Sequence, residues 1–450
     1  MSLDRSNSKQ KTGRQLRRAA FAALAAVAAA VAGQSPQSSA ANVTVDWSIR
    51  HQTVDGFGAS DAFVNVALTD AQADMFFSPT TGIGLSFLRM GIANGGGLNG
   101  GAYSDATKAA ARGARVWAAA WTAPAAWKDN GTTSNGGHLC TAPGQGVCTA
   151  SHYNDWATRL AGFAATLKVN SGVDLYALSV QNEPDFVASY DSMIVSDSEF
   201  VSFVNALAPK LTVLTPRPKL IVGEHANWAL LWSMAAAIEA NPSALGATDI
   251  YGAHQYYGVS AYQGPRAKPL WQTEMSSFDA FDASIGNGVT VGKWIHDALT
   301  IGNVNVWHYW WLQNPFNETN EGLIGRPGAP TTPTKRLYSV GNYSRFVRPG
   351  WTRIDVVGSN PNIFTSAYRS PSNASFAIVV VNNSGVDQPF VANLSHARIA
   401  GVTPWVTSAS LDLAAQSPIA VSAGQFSATV PFGVTTFVGA NESIFTNGFE

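Results

Sequence analysis

The sequence predicts an α/β fold: a closed (β/α)8 TIM barrel with an attached side β-sandwich domain. Two observations carry this. From Val54 to Val306 short apolar runs alternate with longer stretches of helical period, and after Pro349 the pattern becomes short β-branched runs separated by Asn, Gly, Ser and Pro. The strand candidates in order are Thr53–Gly58, Leu85–Met90, Arg115–Trp121, Leu175–Val180, Leu220–Gly223, Ile250–His254, Pro269–Gln272 and Val304–Tyr309. Between them, segments such as Tyr153–Val169 and Glu199–Leu211 place apolar residues at i, i+3, i+4 and i+7. A barrel of this kind opens its site at the C-terminal ends of the strands. The later runs Phe364–Tyr368, Ser375–Val381, Phe390–Leu394, Thr403–Val406 and Thr435–Val438 have antiparallel spacing. Val43–Ile49 also reads as a strand, and its place before the barrel suits pairing with that second domain. The expected organisation is a leader over 1–40, a strand segment of the side domain over 41–52, the barrel over 53–348, the side β-sandwich over 349–440 and a tail over 441–450 without a core pattern.

Composition narrows the function classes. Charged residues make up 13% of the chain, about half the usual quarter, while aromatics reach 11% with 14 Trp. Such a chain buries a large core and exposes rings on a weakly charged surface, which excludes intrinsic disorder. No Lys/Arg run follows Arg18, so a nucleic-acid partner is not expected. Before it stand Arg5, Lys9, Lys11, Arg14, Arg17 and Arg18 against Asp4 alone, a net of +5. An alanine-rich run follows from Ala19 to Ala32, and Ser38-Ser39-Ala40 offers small residues for cleavage. This is the pattern of a secretory signal peptide, too short for the roughly 20 residues of a membrane span. Arg17-Arg18 leaves a twin-arginine route open beside the general one. Removing the leader leaves 22 positive and 28 negative groups, a net of −6. Export to an oxidising compartment makes Cys140 and Cys148, with seven residues between them, a natural loop staple. The eight His residues form no zinc-site spacing, so no metal and no other cofactor is expected. A monomer, free of the membrane once the leader is gone, completes the expectation.

Two carboxylates stand out by position. Glu183 follows the fourth strand candidate in Gln181-Asn182-Glu183-Pro184-Asp185, and Glu274 follows the seventh in Trp271-Gln272-Thr273-Glu274-Met275. Both side chains would emerge at the barrel mouth from opposite sides of the ring. A carboxyl pair placed so can cleave a glycosidic bond, one protonating the leaving oxygen while the other attacks the anomeric carbon or activates water. Pro184 stiffens the turn behind Glu183. Each Glu alone would serve equally well as a cap at a helix N-terminus, but two of them in an aromatic-rich barrel favour chemistry. Sugar rings stack their C–H faces on indoles, and Trp310-Trp311 leaves the barrel at the end of the eighth strand. Trp228 and Trp294 read as core. His254 and Tyr256 follow the sixth strand, where one of them could hydrogen-bond the nucleophile or substrate, with a buried, satisfied histidine the favoured reading of His254. The run Gly95-Gly96-Gly97-Leu98-Asn99-Gly100 matches a dinucleotide fingerprint, but no acidic residue stands about 20 positions on, so it reads as a rim loop.

The chain resembles glycoside hydrolase family 30, the retaining barrel enzymes of clan A with a side β-domain. The resemblance spans Val45 to Val438. It rests on Gln52-Thr53-Val54-Asp55-Gly56-Phe57-Gly58-Ala59-Ser60, Leu88-Arg89-Met90-Gly91, Trp121-Thr122-Ala123-Pro124-Ala125-Ala126-Trp127, the two Glu segments and Phe346-Val347-Arg348-Pro349-Gly350. By position it implies Glu183 as acid/base and Glu274 as nucleophile. Asn182 would hydrogen-bond the sugar 2-OH, and Arg89 would orient the carboxylates and lower the pKa of the nucleophile. Trp127, Tyr256 and Trp311 would line the sugar subsites. Within the family the look is closest to the bacterial glucuronoxylanases, which hold the glucuronate carboxylate with an Arg just after the eighth strand. Here that place reads Trp311-Leu312-Gln313-Asn314-Pro315-Phe316, and the next Arg is Arg326. The expected function is therefore an endo-β-1,4-xylanase acting on the polysaccharide xylan with weak or no dependence on glucuronate. The alternatives are a β-1,6-glucanase or β-1,6-galactanase, and more distantly a non-catalytic carbohydrate-binding protein.

Overall fold

Val43, Val45 and Trp47 alternate with more exposed neighbours along the first strand, β1 (Ala41–Val54), and that period of two buries one face. The chain then enters a barrel at β2 (Gly56–Ser60) and continues through β3 (Phe87–Ile92), β4 (Arg115–Ala120) and β5 (Ala177–Ser179). β6 (Lys219–His225), β7 (Ile250–His254) and β8 (Leu270–Glu274) follow. After a short β9 (Ser277–Ala280), β10 (Val306–Gln313) pairs in parallel with both β8 and β2 and closes the ring. The computed structural model describes residues 40–315, 319–325, 333–358 and 360–442. The leader expected over 1–40 and the tail expected over 441–450 thus lie outside the described residues, apart from Ala40, Asn441 and Glu442.

Helices α1 (Asp70–Phe77), α2 (Ala102–Ala111), α3 (Tyr153–Ser171) and α4 (Asp197–Thr212) cover the first half of the ring. The second half carries α5 (Leu231–Glu239), α6 (Pro242–Ala247), α7 (Ile285–Thr300) and α8 (Lys335–Ser344). Thr69 starts α1 and Ser196 starts α4, each in a reciprocal capping box with the Gln72 or Glu199 side chain. Inside the barrel Phe87, Trp117, Trp271 and His308 fill the floor, with Phe87 and Trp271 5.0 Å apart between ring centres. Burial, then the Arg89 charge, lowers the His308 pKa to about 3, so a neutral imidazole accepts from Trp117 Nε1 at 2.9 Å. Gly58 permits this packing, because a Cβ there would sit 2.4 Å from the His308 ring.

The eighth strand runs four residues beyond the predicted Tyr309. β11 (Thr319–Asn320) pairs with β9, and β12 (Gly322–Ile324) lies parallel to β10, with Gln313 opposite Ile324. This pairing supplies the backbone partners that keep Trp311 to Gln313 extended, so Gln313 is strand rather than loop.

Beyond α8 come β13 (Trp351–Val357), β14 (Ile363–Arg369), β15 (Ser375–Asn382), β16 (Gln388–Ser395) and β17 (Gly401–Thr407). The short β18 (Ala414–Ala415) and β19 (Ile419–Ala420) precede β20 (Gln425–Val430) and β21 (Gly433–Ala440). One continuous sheet results, ordered β18-β17-β21-β15-β14-β13-β1-β16-β20, with β1 antiparallel to β13 and parallel to β16. It curls until Phe390 of β16 stacks on Phe437 of β21 at 5.7 Å, enclosing its own apolar core. Its other face packs on the barrel's last helices: Asn342 of α8 donates to Trp405 O at 3.0 Å and accepts from Thr407 at 2.6 Å. From Ala40 onward the chain is one compact unit. Among the described residues no helix is long and apolar enough to cross a membrane.

Candidate active site

Strand ends bring the predicted carboxylates together. Glu274 is the last residue of β8, and Glu183 stands four residues past β5, its N–H bonded to Glu224 O at 3.1 Å. An oxygen of each lies within 4.8 Å of the other, with a His254 nitrogen inside the same limit. Both are almost fully buried. Glu183 and Glu224 adopt φ of 45° and 59°, left-handed values that cost a non-glycine residue about 1–3 kcal/mol and gather at functional sites. At Glu224 the β6–β7 register slips between Gly223 and His225, a bulge that aims its carboxylate into the barrel.

Arg89 organises the group from β3. Its guanidinium is fully buried; Nη1 donates to Glu274 Oε2, while Nη2 donates to Asn182 Oδ1 at 2.6 Å and to Glu224 Oε1 at 3.1 Å. The rings of Trp117, Trp121 and Trp310 surround it, with centroids 5.2, 4.8 and 5.5 Å from Cζ. Tyr256 donates its hydroxyl to Glu274 Oε1 at 2.7 Å. Glu274 thus receives one hydrogen bond on each oxygen.

His254, read from the sequence as a satisfied core histidine, is buried but belongs to this group. Its Nδ1 lies 3.2 Å from Glu183 Oε1, and its Nε2 lies 3.8 Å from both Glu224 Oε1 and Glu274 Oε2. Burial alone would lower its pKa, but the Glu274 charge, the hydrogen bond that His254 donates to Glu183 and the nearby Glu224 carboxylate outweigh it and raise the pKa to about 9. Burial raises the Glu183 carboxyl, against the hydrogen bond and charge of His254, with the charge of Glu274 adding to the rise. Glu224 goes the other way. Its burial is overcome by Arg89 and His254 with a hydrogen bond from Ser179, and its pKa falls. Glu183, His254 and Glu274 could chelate a cation by position alone. A protonated His254 cannot ligate, however, and Arg89 already compensates Glu274, so the set suits proton transfer better.

The predicted aromatic residues divide. Trp311 stacks on Trp310 at 4.9 Å, and its Nε1 donates to Ala62 O at 2.8 Å. From there a chain of rings crosses the mouth: Trp310 lies 5.9 Å from Trp121, and Trp121 lies 4.8 Å from Phe63. Trp127 stands apart, stacked on His152 at 5.5 Å with the Arg159 guanidinium 4.3 Å from its centroid. Gln313 is buried and donates to Val66 O at 3.0 Å, while Asn314 donates to Thr319 O at 2.9 Å. These amides hold backbone. Arg326, the substitute cation considered from the sequence, lies outside the described residues. Cys140 and Cys148 are joined in a disulfide that closes the loop beside Trp127.

Sequence reasoning missed Glu224 and Tyr190, and quoted Trp121 without giving it a role. Tyr190 is half exposed and donates to Glu183 Oε2 at 3.3 Å. Glu224 carried a usable signal, since it ends a strand candidate just as Glu183 and Glu274 do. Tyr190 sits in a loop with no periodic pattern and carried none.

No family model matches the sequence. The chain is 28% identical over 424 residues to the glucuronoxylanase XynC of Bacillus subtilis strain 168, covering 89% of this chain and 92% of that protein. It aligns with the crystal structure of a glycoside hydrolase family 30 subfamily 8 xylanase, Xyn30A, from Clostridium acetobutylicum at 30% identity and a TM-score of 0.76, over 89% of this chain and 99% of the other. A family 30 endoxylanase from Clostridium papyrosolvens C71 gives 30% identity and a TM-score of 0.73, over 89% and 100%.

Proposed function

The chain belongs to glycoside hydrolase family 30, and from that premise we propose that it is an exported endo-β-1,4-xylanase using Glu274 as nucleophile and Glu183 as acid/base, with weak or no dependence on glucuronate branches. The single observation that carries the catalytic assignment is the environment of the pair. Glu274 accepts hydrogen bonds from Arg89 and the Tyr256 hydroxyl, whereas burial raises the Glu183 pKa, as an acid needs. An oxygen-to-oxygen approach within 4.8 Å suits double displacement, where the two carboxyl groups stand roughly 5–5.5 Å apart, rather than the wider gap that admits a water between them.

In the first step Glu274 attacks the anomeric carbon while Glu183 gives its proton to the leaving oxygen. His254, protonated beside Glu183, stabilises the carboxylate that this transfer creates. In the second step Glu183 takes a proton from water, which attacks the glycosyl-enzyme and releases Glu274. Asn182 has its Oδ1 bound to Arg89, so its Nδ2 is the atom with capacity for the sugar 2-OH.

Independence of glucuronate rests on charge. A carboxylate branch is held well by a charge-assisted contact, and Gln313 and Asn314 offer only amides that are already bonded to backbone. The test is mass spectrometry of the products of residues 41–450 acting on glucuronoxylan. Neutral xylo-oligosaccharides are expected. One glucuronate on every product would overturn the independence and make Arg326 the residue to mutate. If xylan is left intact, the β-1,6-glucan alternative replaces the xylanase reading.

A further inference from the structure

A cavity of about 470 Å³ opens where α7 meets the side sheet, lined by His296 and Thr300 of α7, Arg353 of β13, and Phe364, Thr365 and Ser366 of β14. The volume falls within the roughly 300–1,000 Å³ of small-molecule pockets. Barrel helices run antiparallel to their strands, so the C-terminal half of α7 lies at the end of the barrel opposite Glu183 and Glu274. The cavity is therefore remote from the catalytic mouth.

Its chemistry is specific. Two buried polar atoms, His296 Nδ1 and Thr365 Oγ1, have no partner in the protein. An unmet buried polar atom costs about 1–3 kcal/mol, so such positions call for a ligand or water. Burial, then the charges of Lys293 and Arg353, brings the His296 pKa down to about 4, leaving a neutral ring that pairs with a hydroxyl. Phe364 supplies an aromatic surface, 5.7 Å from the His296 ring and with Lys293 Nζ 4.8 Å from its centroid. No carboxylate is among the lining residues, which disfavours a metal ion. Lys293 pairs with Asp297 at 2.5 Å and His51 with Asp355 at 2.9 Å, while the Arg353 guanidinium donates to the neutral Gln52 side chain at 2.9 Å and keeps donors for a ligand hydroxyl. Hydroxyls, a neutral imidazole, a guanidinium and a ring face together fit an uncharged ring that carries hydroxyl groups.

We propose that this cavity is a second carbohydrate site, holding one or two sugar residues of the polymer and tethering the enzyme to it. That the polymer is xylan rests on the function proposed above; that the ligand is a sugar does not.

The experiment follows the His296 imidazole resonance of the full chain during titration with xylotetraose and, separately, with a β-1,6-gluco-oligosaccharide. A saturable shift with xylotetraose is expected, absent in Thr365→Val, which keeps the side chain's shape while removing the orphaned hydroxyl. His296→Gln and Thr365→Val should both hydrolyse xylotetraose at the parent rate, yet lose retention on insoluble xylan and show a several-fold higher KM on the polymer. A shift with the glucan fragment alone would uphold the second site and sink the xylan reading. No shift with either sugar, or unchanged retention in both variants, would overturn the proposal.

Discussion

His254 is the buried partner of Glu183, its Nδ1 3.2 Å from Oε1, and it ties the charge state of the acid to the stability of the fold. With a folded-state pKa of about 9 against an ordinary value of 6.5, the imidazole binds its proton more tightly in the native protein. The resulting stability is full below pH 6.5 and is lost as pH rises through about 9. The magnitude is on the order of 3 kcal/mol. Urea unfolding at pH 6 and pH 9.5 should show this loss in the parent and not in His254→Gln. The same variant removes a hydrogen bond and charge that lower the Glu183 pKa, so the alkaline limb of kcat/KM should move upward. A downward move would refute the direction of that coupling.

Removing the acid should depend on the leaving group. Glu183→Gln is expected to lose about 10²–10⁴ in kcat on xylan and far less on an aryl xyloside whose phenolate departs without a proton. Glu274→Gln should lose activity on both substrates, because the nucleophile is needed whatever leaves. Equal losses on the two substrates in Glu183→Gln would remove it from the acid role.

The barrel was legible because strands buried on both faces are short, apolar and evenly spaced, and the catalytic pair because strand ends aim at one mouth. What stayed hidden depends on which residues meet in space. Arg89 was expected to serve the carboxylates, but its bond to Glu224 follows from a bulge that no local pattern announces. Gln313, expected just past the eighth strand, lies within it because β12, a partner of three residues, runs beside it. Trp127 shows how spatial partners stay hidden. A tryptophan beside the mouth reads as a sugar platform, and its ring also stacks on His152 and carries the Arg159 guanidinium, two residues seven apart at the start of α3.

Asp61 and Asp105 form a second buried carboxyl pair. Asp61 N–H bonds Arg89 O at 2.9 Å, Asp105 Oδ1 accepts from Leu68 N–H at 2.9 Å, and both side chains are buried. Burial, then the charge of its neighbour Asp105, raises the Asp61 pKa well above the usual range, and both Asp61 carboxyl oxygens are buried without a hydrogen-bond partner. Lys108, whose Nζ donates to Leu68 O, is the cation acting on Asp105. A raised carboxyl contributes stability at low pH that is lost as pH rises through its folded-state pKa. Asp61→Asn keeps a hydrogen-bond donor and cannot ionise. It should raise the thermal midpoint at pH 8 by about 2–4 °C for each 1 kcal/mol of relieved repulsion, with little change at pH 4. A lower midpoint at pH 8 would show that the fold stabilises the ionised Asp61 carboxylate instead of penalising it.

The Cys140–Cys148 bridge closes a short loop that is bonded to its surroundings at both sides. Cys140 N–H bonds Trp127 O at 3.0 Å, and Cys140 O accepts from His152 N–H at 2.8 Å, so the staple holds the two residues whose rings stack. Opening it frees loop entropy without exposing the barrel core, whose apolar residues come mainly from the strands and helices. Reduction and alkylation should therefore speed proteolytic nicking between residues 140 and 150 while the global unfolding midpoint stays within a degree or two of the parent. If nicking and global unfolding instead shift together, the loop is part of the cooperative core and the Trp127 stack cannot be treated as a local feature of the rim.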